Sequence, residues 1–88
     1  MVAKTIHGKQ SYDRLTLNDP ALNATIGSRI SAIRTAKGLT QKELGAQVGM
    51  PSSKLSKVEN GDNQIPVSAL ARIAKALETD LNWICGLK

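Results

Sequence analysis

Leu39-Thr40-Gln41-Lys42-Glu43-Leu44-Gly45-Ala46-Gln47-Val48-Gly49-Met50-Pro51-Ser52-Ser53-Lys54-Leu55-Ser56-Lys57-Val58-Glu59-Asn60-Gly61 reads as two short helices and the turn between them. Thr40 and Glu43 stand three apart, the spacing of a capping box, in which each side chain satisfies a backbone N–H left free at a helix start. The helix that begins there places Leu44 and Val48 on one face and stops at Gly49, a residue type that tolerates the left-handed conformation past a helix end. In the second helix Leu55 and Val58 are three apart, the remaining positions are mostly Ser and Lys, and Asn60-Gly61 closes it. Two helices of about eight residues with a turn of three or four between them make a helix-turn-helix pattern. A unit of that size cannot bury a core alone, so the flanking helices exist to hold it.

Upstream, Asp19-Pro20 is a helix-start signal: a capping side chain followed by proline at the first helical position, where its missing N–H does no harm. Leu22, Ile26, Ile30 and Ile33 then form an apolar stripe that ends at Lys37-Gly38. Helix one therefore lies within Pro20 to Lys37, with a start as late as Asn23 or Thr25 left open by the low propensity of Asn23, Thr25 and Gly27. Arg29, Arg34 and Lys37 fall on its opposite face. Downstream, Leu70, Ile73, Ala74 and Leu77 mark a helix four over Val67 to Glu78, and Asp80 caps a last short helix, Leu81 to Cys85, that carries Trp83. Met1 to Asn18 shows no helical period and reads as a mobile arm, although the alternation Ile6, Gly8, Gln10, Tyr12 leaves a short strand open. The division is an arm over 1–19 and one all-α domain over 20–88.

The chain has 88 residues, enough for one small core. A single cysteine excludes an internal disulfide, and no apolar run approaches the ~20 residues of a membrane helix. Met1 to Gln10 lacks the apolar segment of a secretory signal, so the expected setting is soluble and cytoplasmic, with no membrane partner. Twelve basic residues against seven acidic give a net charge of +5, which favours a polyanionic partner. His7 and Cys85 have no companions at ligand or catalytic spacing. The reading is therefore of no metal, no cofactor and no enzyme.

From Thr25 to Gly86 the sequence resembles the lambdoid phage repressor and Cro-type (XRE) helix-turn-helix family. The stretches that carry the likeness are Ile26-Gly27-Ser28-Arg29-Ile30, Leu39-Thr40-Gln41-Lys42-Glu43-Leu44, Leu55-Ser56-Lys57-Val58-Glu59-Asn60-Gly61 and Ile73-Ala74-Lys75-Ala76-Leu77. The resemblance implies a five-helix lambda-repressor-like bundle. It also implies a transcriptional regulator, a repressor by expectation, that inserts the helix over 52–59 into the major groove of double-stranded operator DNA as a homodimer. Three positions depart from the family pattern. Gly45 replaces a usual alanine, Val67 a usual cap, and Pro51 a usual Ser or Thr cap, so that either Pro51 is the first residue of helix three or Ser52 is its cap.

Carried over residue by residue, base-edge contacts fall at Ser52, Ser53 and Lys57, with Lys54 and Ser56 near the groove walls. Lysine can donate to guanine, whereas serine chooses no base strongly, so part of the discrimination is left to DNA shape. Gln41 opens helix two, where free N–H groups and the positive end of the dipole favour a phosphate. Asn60, Asn63 and Gln64 fall where the family grips the backbone, and Lys37 and Lys42 add screened charge. Arg34 and Glu59 occupy positions that form an internal ion pair in the family. A large apolar side chain left over in the terminal helix, Trp83 with Ile84 beside it, is the expected dimer contact. The competing reading is an antitoxin-type module that binds DNA and also neutralises a small protein partner.

Overall fold

Asp19 starts α1 (Pro20–Ala36): its carboxylate accepts from the backbone N–H groups of Ala21 and Leu22 at 3.0 and 3.2 Å. The cap holds the helix from Pro20 onward, so the low-propensity residues behind it do not delay the start. This computed structural model describes residues 16–17, 19–61 and 65–86. After a turn at Gly38, α2 (Gln41–Val48) opens on the expected capping box, Glu43 N–H to Thr40 Oγ1 at 3.0 Å and Thr40 N–H to Glu43 Oε1 at 2.8 Å. It ends at Gly49, whose φ of 72° is left-handed. Arg72 adds a donor at that end, Nε to the Val48 carbonyl at 3.3 Å.

Helix α3 (Ser52–Glu59) resolves the two alternatives for Pro51 in favour of neither. Pro51 itself occupies the capping position, with φ −62° and ψ 149° and no side-chain bond, and Ser52 is the first helical residue. Helix α4 (Val67–Ala76) ends two residues before the expected Glu78, which takes a φ of 60° that no continuing helix allows. Helix α5 (Leu81–Ile84) starts as the sequence indicates, with Asp80 Oδ1 accepting from the Trp83 N–H at 2.8 Å, and stops one residue before Cys85.

The five helices enclose one core. Ile26 and Ile30 of α1, Leu44 and Val48 of α2, Leu55 and Val58 of α3, Leu70 and Ile73 of α4, Leu77 and Ile84 meet in it, with Leu22 and Ile33 half-buried at its edge. Gly27 marks the crossing of α1 over α3: a Cβ there would lie 2.7 Å from the Glu59 carbonyl carbon, with the Val58 and Glu59 oxygens closer still. Gly45 plays the same part between α2 and the turn. A Cβ would run into the Met50 carbonyl oxygen, so the alanine usual in the family does not fit this turn without a shift. Met50 is the residue that Pro51 restricts to extended backbone, so the two departures from the family pattern meet at one peptide.

The arm's last described residues join the body. β1 (Thr16–Leu17) pairs antiparallel with β2 (Ile65–Pro66), Thr16 opposite Pro66 and Leu17 opposite Ile65, directly before α4. A strand of two residues has no period by which the sequence could mark it. The alternation from Ile6 to Tyr12 lies outside the described residues. Deleting residues 1–18 removes this ladder and deleting 1–15 spares it. The longer deletion is expected to cost about 1 kcal/mol more, which for a domain this size is about 4–8 °C in melting temperature. Coincident thermal melts of the two truncations would show that the ladder contributes nothing.

Candidate nucleic-acid interface

Helix α3 divides cleanly. Leu55 and Val58 are wholly buried, which fixes the rotation of the helix and leaves Ser52, Ser53, Lys54 and Lys57 exposed, with Ser56 half-exposed between them. The outward surface is thus three hydroxyls and two ammonium groups on a helix slim enough for the major groove. Lys42 and Asn60 are exposed and Gln41 half-buried, while Asn63 and Gln64 lie outside the described residues.

The end of α3 is fixed by an ion pair. Arg34, in the last turn of α1, donates Nε to Glu59 Oε2 at 2.6 Å and Nη2 to Oε1 at 3.0 Å, and sends Nη1 to the Leu39 carbonyl at 2.7 Å. This is the bidentate fork that planar guanidinium geometry allows. The two side chains are 12% and 5% exposed, so the pair is interior rather than solvated. The bond to Glu59 raises Arg34 above the ordinary guanidinium range. A basic group raised in this way is stabilising below its unfolded pKa and loses that contribution only on rising through the folded one, far into alkali, so the pair holds Arg34 charged at any working pH. Gln41 joins the same carboxylate, Nε2 to Glu59 Oε1 at 3.0 Å, a contact that sequence reasoning missed because nothing in the spacing of 41 and 59 signals it.

On the face of α1 opposite the apolar stripe, Arg29, Arg34 and Lys37 each have a partner within the chain. Besides the Arg34 pair, Lys37 Nζ reaches Glu78 Oε1 at 3.2 Å at the surface. Arg29 lies 4.6 Å over the Trp83 ring and donates Nη1 to the Trp83 carbonyl at 2.9 Å. Trp83 is therefore half-buried, one ring face taken by a guanidinium of its own chain. Ile84, expected beside it at a dimer contact, is wholly buried in the core and presents no side-chain surface to a partner. Cys85 is half-buried and burial raises its thiol, which keeps it protonated near neutrality. Among the described residues no group of three or more His, Cys, Asp or Glu is placed to hold a metal ion, and no helix is long and apolar enough to cross a membrane.

A paired helix unit with a buried inner face, a polar outer face and an internally braced end defines the helix-turn-helix DNA-binding class. The helix-turn-helix family model matches residues 30–84, and the chain belongs to that family, in its Cro/C1-type branch. It is 36% identical over 62 residues to an uncharacterized transcriptional regulator in the ATPase CF(0) region of Rhodospirillum rubrum, covering 70% of this chain and 57% of that protein. An uncharacterized helix-turn-helix-type transcriptional regulator of Rickettsia conorii is 32% identical over 62 residues, 70% of this chain and 50% of its own. The chain thus spans about half the length of these curated relatives.

Among solved structures, the restriction-modification controller protein C.AhdI of Aeromonas hydrophila superposes with a TM-score of 0.69 at 30% identity, over 73% of this chain and 97% of that one. The clp gene regulator ClgR of Corynebacterium glutamicum gives 0.71 at 25% identity, over 76% and 86%. The five-helix all-α bundle is the lambda-repressor-like fold of these proteins, and the curated relatives that share this helix-turn-helix domain are described as transcriptional regulators.

Proposed function

We propose that this chain is a DNA-binding transcriptional regulator that reads a two-fold operator as a homodimer in the cytoplasm and represses by occupying it. The observation that carries the reading is the outward face of α3, where Ser52, Ser53 and Lys57 stand exposed on a helix held by two wholly buried residues. Lys57 donates to a guanine edge, and Ser52 and Ser53 fit adjacent base edges without choosing strongly. Gln41, Lys42, Lys54, Ser56 and Asn60 grip the phosphates on either side. One helix reads only a few base pairs, so two copies with their α3 helices about 34 Å apart supply the rest of the specificity. What supports a contact at the α4–α5 end is the half-buried Trp83 of α5 and a shallow apolar groove of about 370 Å³ between the two helices, lined by Val67, Ser68, Ala71 and Leu81.

Selection of bound sites from random duplexes tests this directly, since half-site sequence, spacing and symmetry emerge together; recovery of no common sequence would remove the reading. On a selected site, Lys57→Ala is expected to lose about tenfold in affinity and on a scrambled site less than about threefold. Equal losses on the two duplexes would return Lys57 to the phosphate contacts. Trp83→Ala, once shown to be folded, is expected to shift sedimentation of the free protein from dimer toward monomer. A folded variant that remains dimeric would move the contact to another surface.

A further inference from the structure

Glu59 is the last residue of the proposed reading helix, yet its carboxylate is only 5% exposed and accepts three N–H groups, two from Arg34 and one from Gln41. Gln41 is the first residue of α2, where the backbone N–H groups of a helix start have no intrahelical partner and attract an anion. An amide nitrogen carries two hydrogens in a fixed plane. With one of them bound to Glu59 Oε1 at 3.0 Å, the direction of the other is set. We infer that Glu59 is a positioning residue for DNA binding: it holds the Gln41 amide so that its second N–H meets a phosphate at the start of α2, although Glu59 itself touches no DNA. The inference rests on the DNA-binding reading above and adds to it a residue that acts only through another.

The arrangement has a geometric consequence. Gln41 begins α2, Glu59 ends α3 and Arg34 lies in the last turn of α1, so one carboxylate joins three helices. The offset between the phosphate grip at Gln41 and the base-reading face at Ser52 to Lys57 is then fixed before DNA arrives. A side chain aimed in advance loses no rotamer freedom on binding, which strengthens the contact without adding a new one. An interaction of this kind is non-additive: without Gln41 there is nothing left for Glu59 to aim.

The test is a double-mutant cycle on a duplex taken from the selection, read as dissociation constants at one salt concentration. It uses wild type, Gln41→Ala, Glu59→Gln and the double variant, each first shown to be folded by its melting. Failure of the wild type to bind any selected duplex would sink the DNA-binding reading itself and is seen before the cycle begins. Each single variant is expected to weaken binding about tenfold, the loss of one hydrogen bond to a charged group, and the double variant to be within about twofold of the weaker single. Single neutral methylphosphonates scanned along the duplex supply the second readout. At one phosphate the substitution is expected to cost the wild type about tenfold and both Gln41→Ala and Glu59→Gln less than about twofold.

Losses that multiply to about a hundredfold in the double variant, or a methylphosphonate effect that survives intact in Glu59→Gln, overturn the assignment. If Glu59→Gln does not fold, Glu59→Asp replaces it. That variant keeps a carboxylate for Arg34 but is one methylene shorter and draws back from Gln41, and the same outcomes decide.

Discussion

Gly27→Ala is expected to lower the stability of this domain by about 2 kcal/mol or more, although alanine is the better helix former by about 1 kcal/mol. The added Cβ would sit 2.7 Å from the Glu59 carbonyl carbon and nearer still to the Val58 and Glu59 oxygens, and all three are backbone atoms that no rotamer change can move aside. Helices α1 and α3 would have to separate, thinning the contact that buries Ile30, Leu55 and Val58. At about 4–8 °C per kcal/mol the melting temperature should fall by about 10 °C or more. Because the displacement acts at the end of α3, the folded fraction should also bind DNA more weakly. Gly38→Ala is the control: Gly38 has a φ of 73° but nothing within 4 Å of its Cβ position, so only the left-handed backbone cost of about 1 kcal/mol applies. A Gly27→Ala protein that melts at or above the wild type would mean that the crossing is loose and only helix propensity matters.

The sequence carries that position less openly than it carries the core. Ile26, Ile30, Leu44, Leu55, Val58, Leu70, Ile73 and Leu77 announce themselves by three- and four-residue spacing, and every one of them is buried. Gly27 looks like a weak point in a helix when propensity is the only measure. Its meaning appears once Gly27 and Arg34, seven apart and so on one face of α1, are taken together, since both meet the end of α3 at Val58 and Glu59. The helix starts were legible because Asp19, Thr40 and Asp80 bond local N–H groups, a matter of a few residues. Pro51 was not, since a proline at the capping position makes no side-chain bond and only the geometry of the turn places it.

For the candidate interface, the outward residues of α3 followed from the burial of Leu55 and Val58 alone, whereas long side chains escaped the pattern. Arg29 reaches 54 residues along the chain to Trp83, and Lys37 reaches 41 to Glu78. Local spacing places such residues opposite the apolar stripe but has no information about what packs beside that face. Trp83 and Ile84 show the same limit. An apolar run in a short terminal helix signals burial, but whether by its own core or by a second copy depends on α1, and Ile84 went wholly to the core.

Arg34→Ala should be the most damaging substitution of a charged residue among the described residues. A surface pair is worth about 0–1 kcal/mol, but this one is 12% and 5% exposed, and removal of one partner strands a carboxylate in the interior at a cost of about 3–5 kcal/mol. Three hydrogen bonds go at once: two to Glu59 and the one to the Leu39 carbonyl that shapes the turn into α2. Only the Gln41 amide would remain on Glu59. Against a total stability of about 4–13 kcal/mol for a chain of this length, that is about a quarter or more of the whole. Arg34→Lys keeps the charge but cannot reproduce the planar fork, so it should fall between the two. The double variant Arg34→Ala/Glu59→Ala separates the pair's attraction from the stranded charge. If the cost comes from the unpaired carboxylate, removing it should recover part of the loss, and the double variant should unfold at higher urea than Arg34→Ala alone. Urea midpoints for the wild type, Arg34→Ala, Glu59→Ala, the double variant and Arg34→Lys decide it: a loss of about 1 kcal/mol or less for Arg34→Ala, or a double variant weaker than either alanine single, would show that burial of Glu59 is not what makes Arg34 matter.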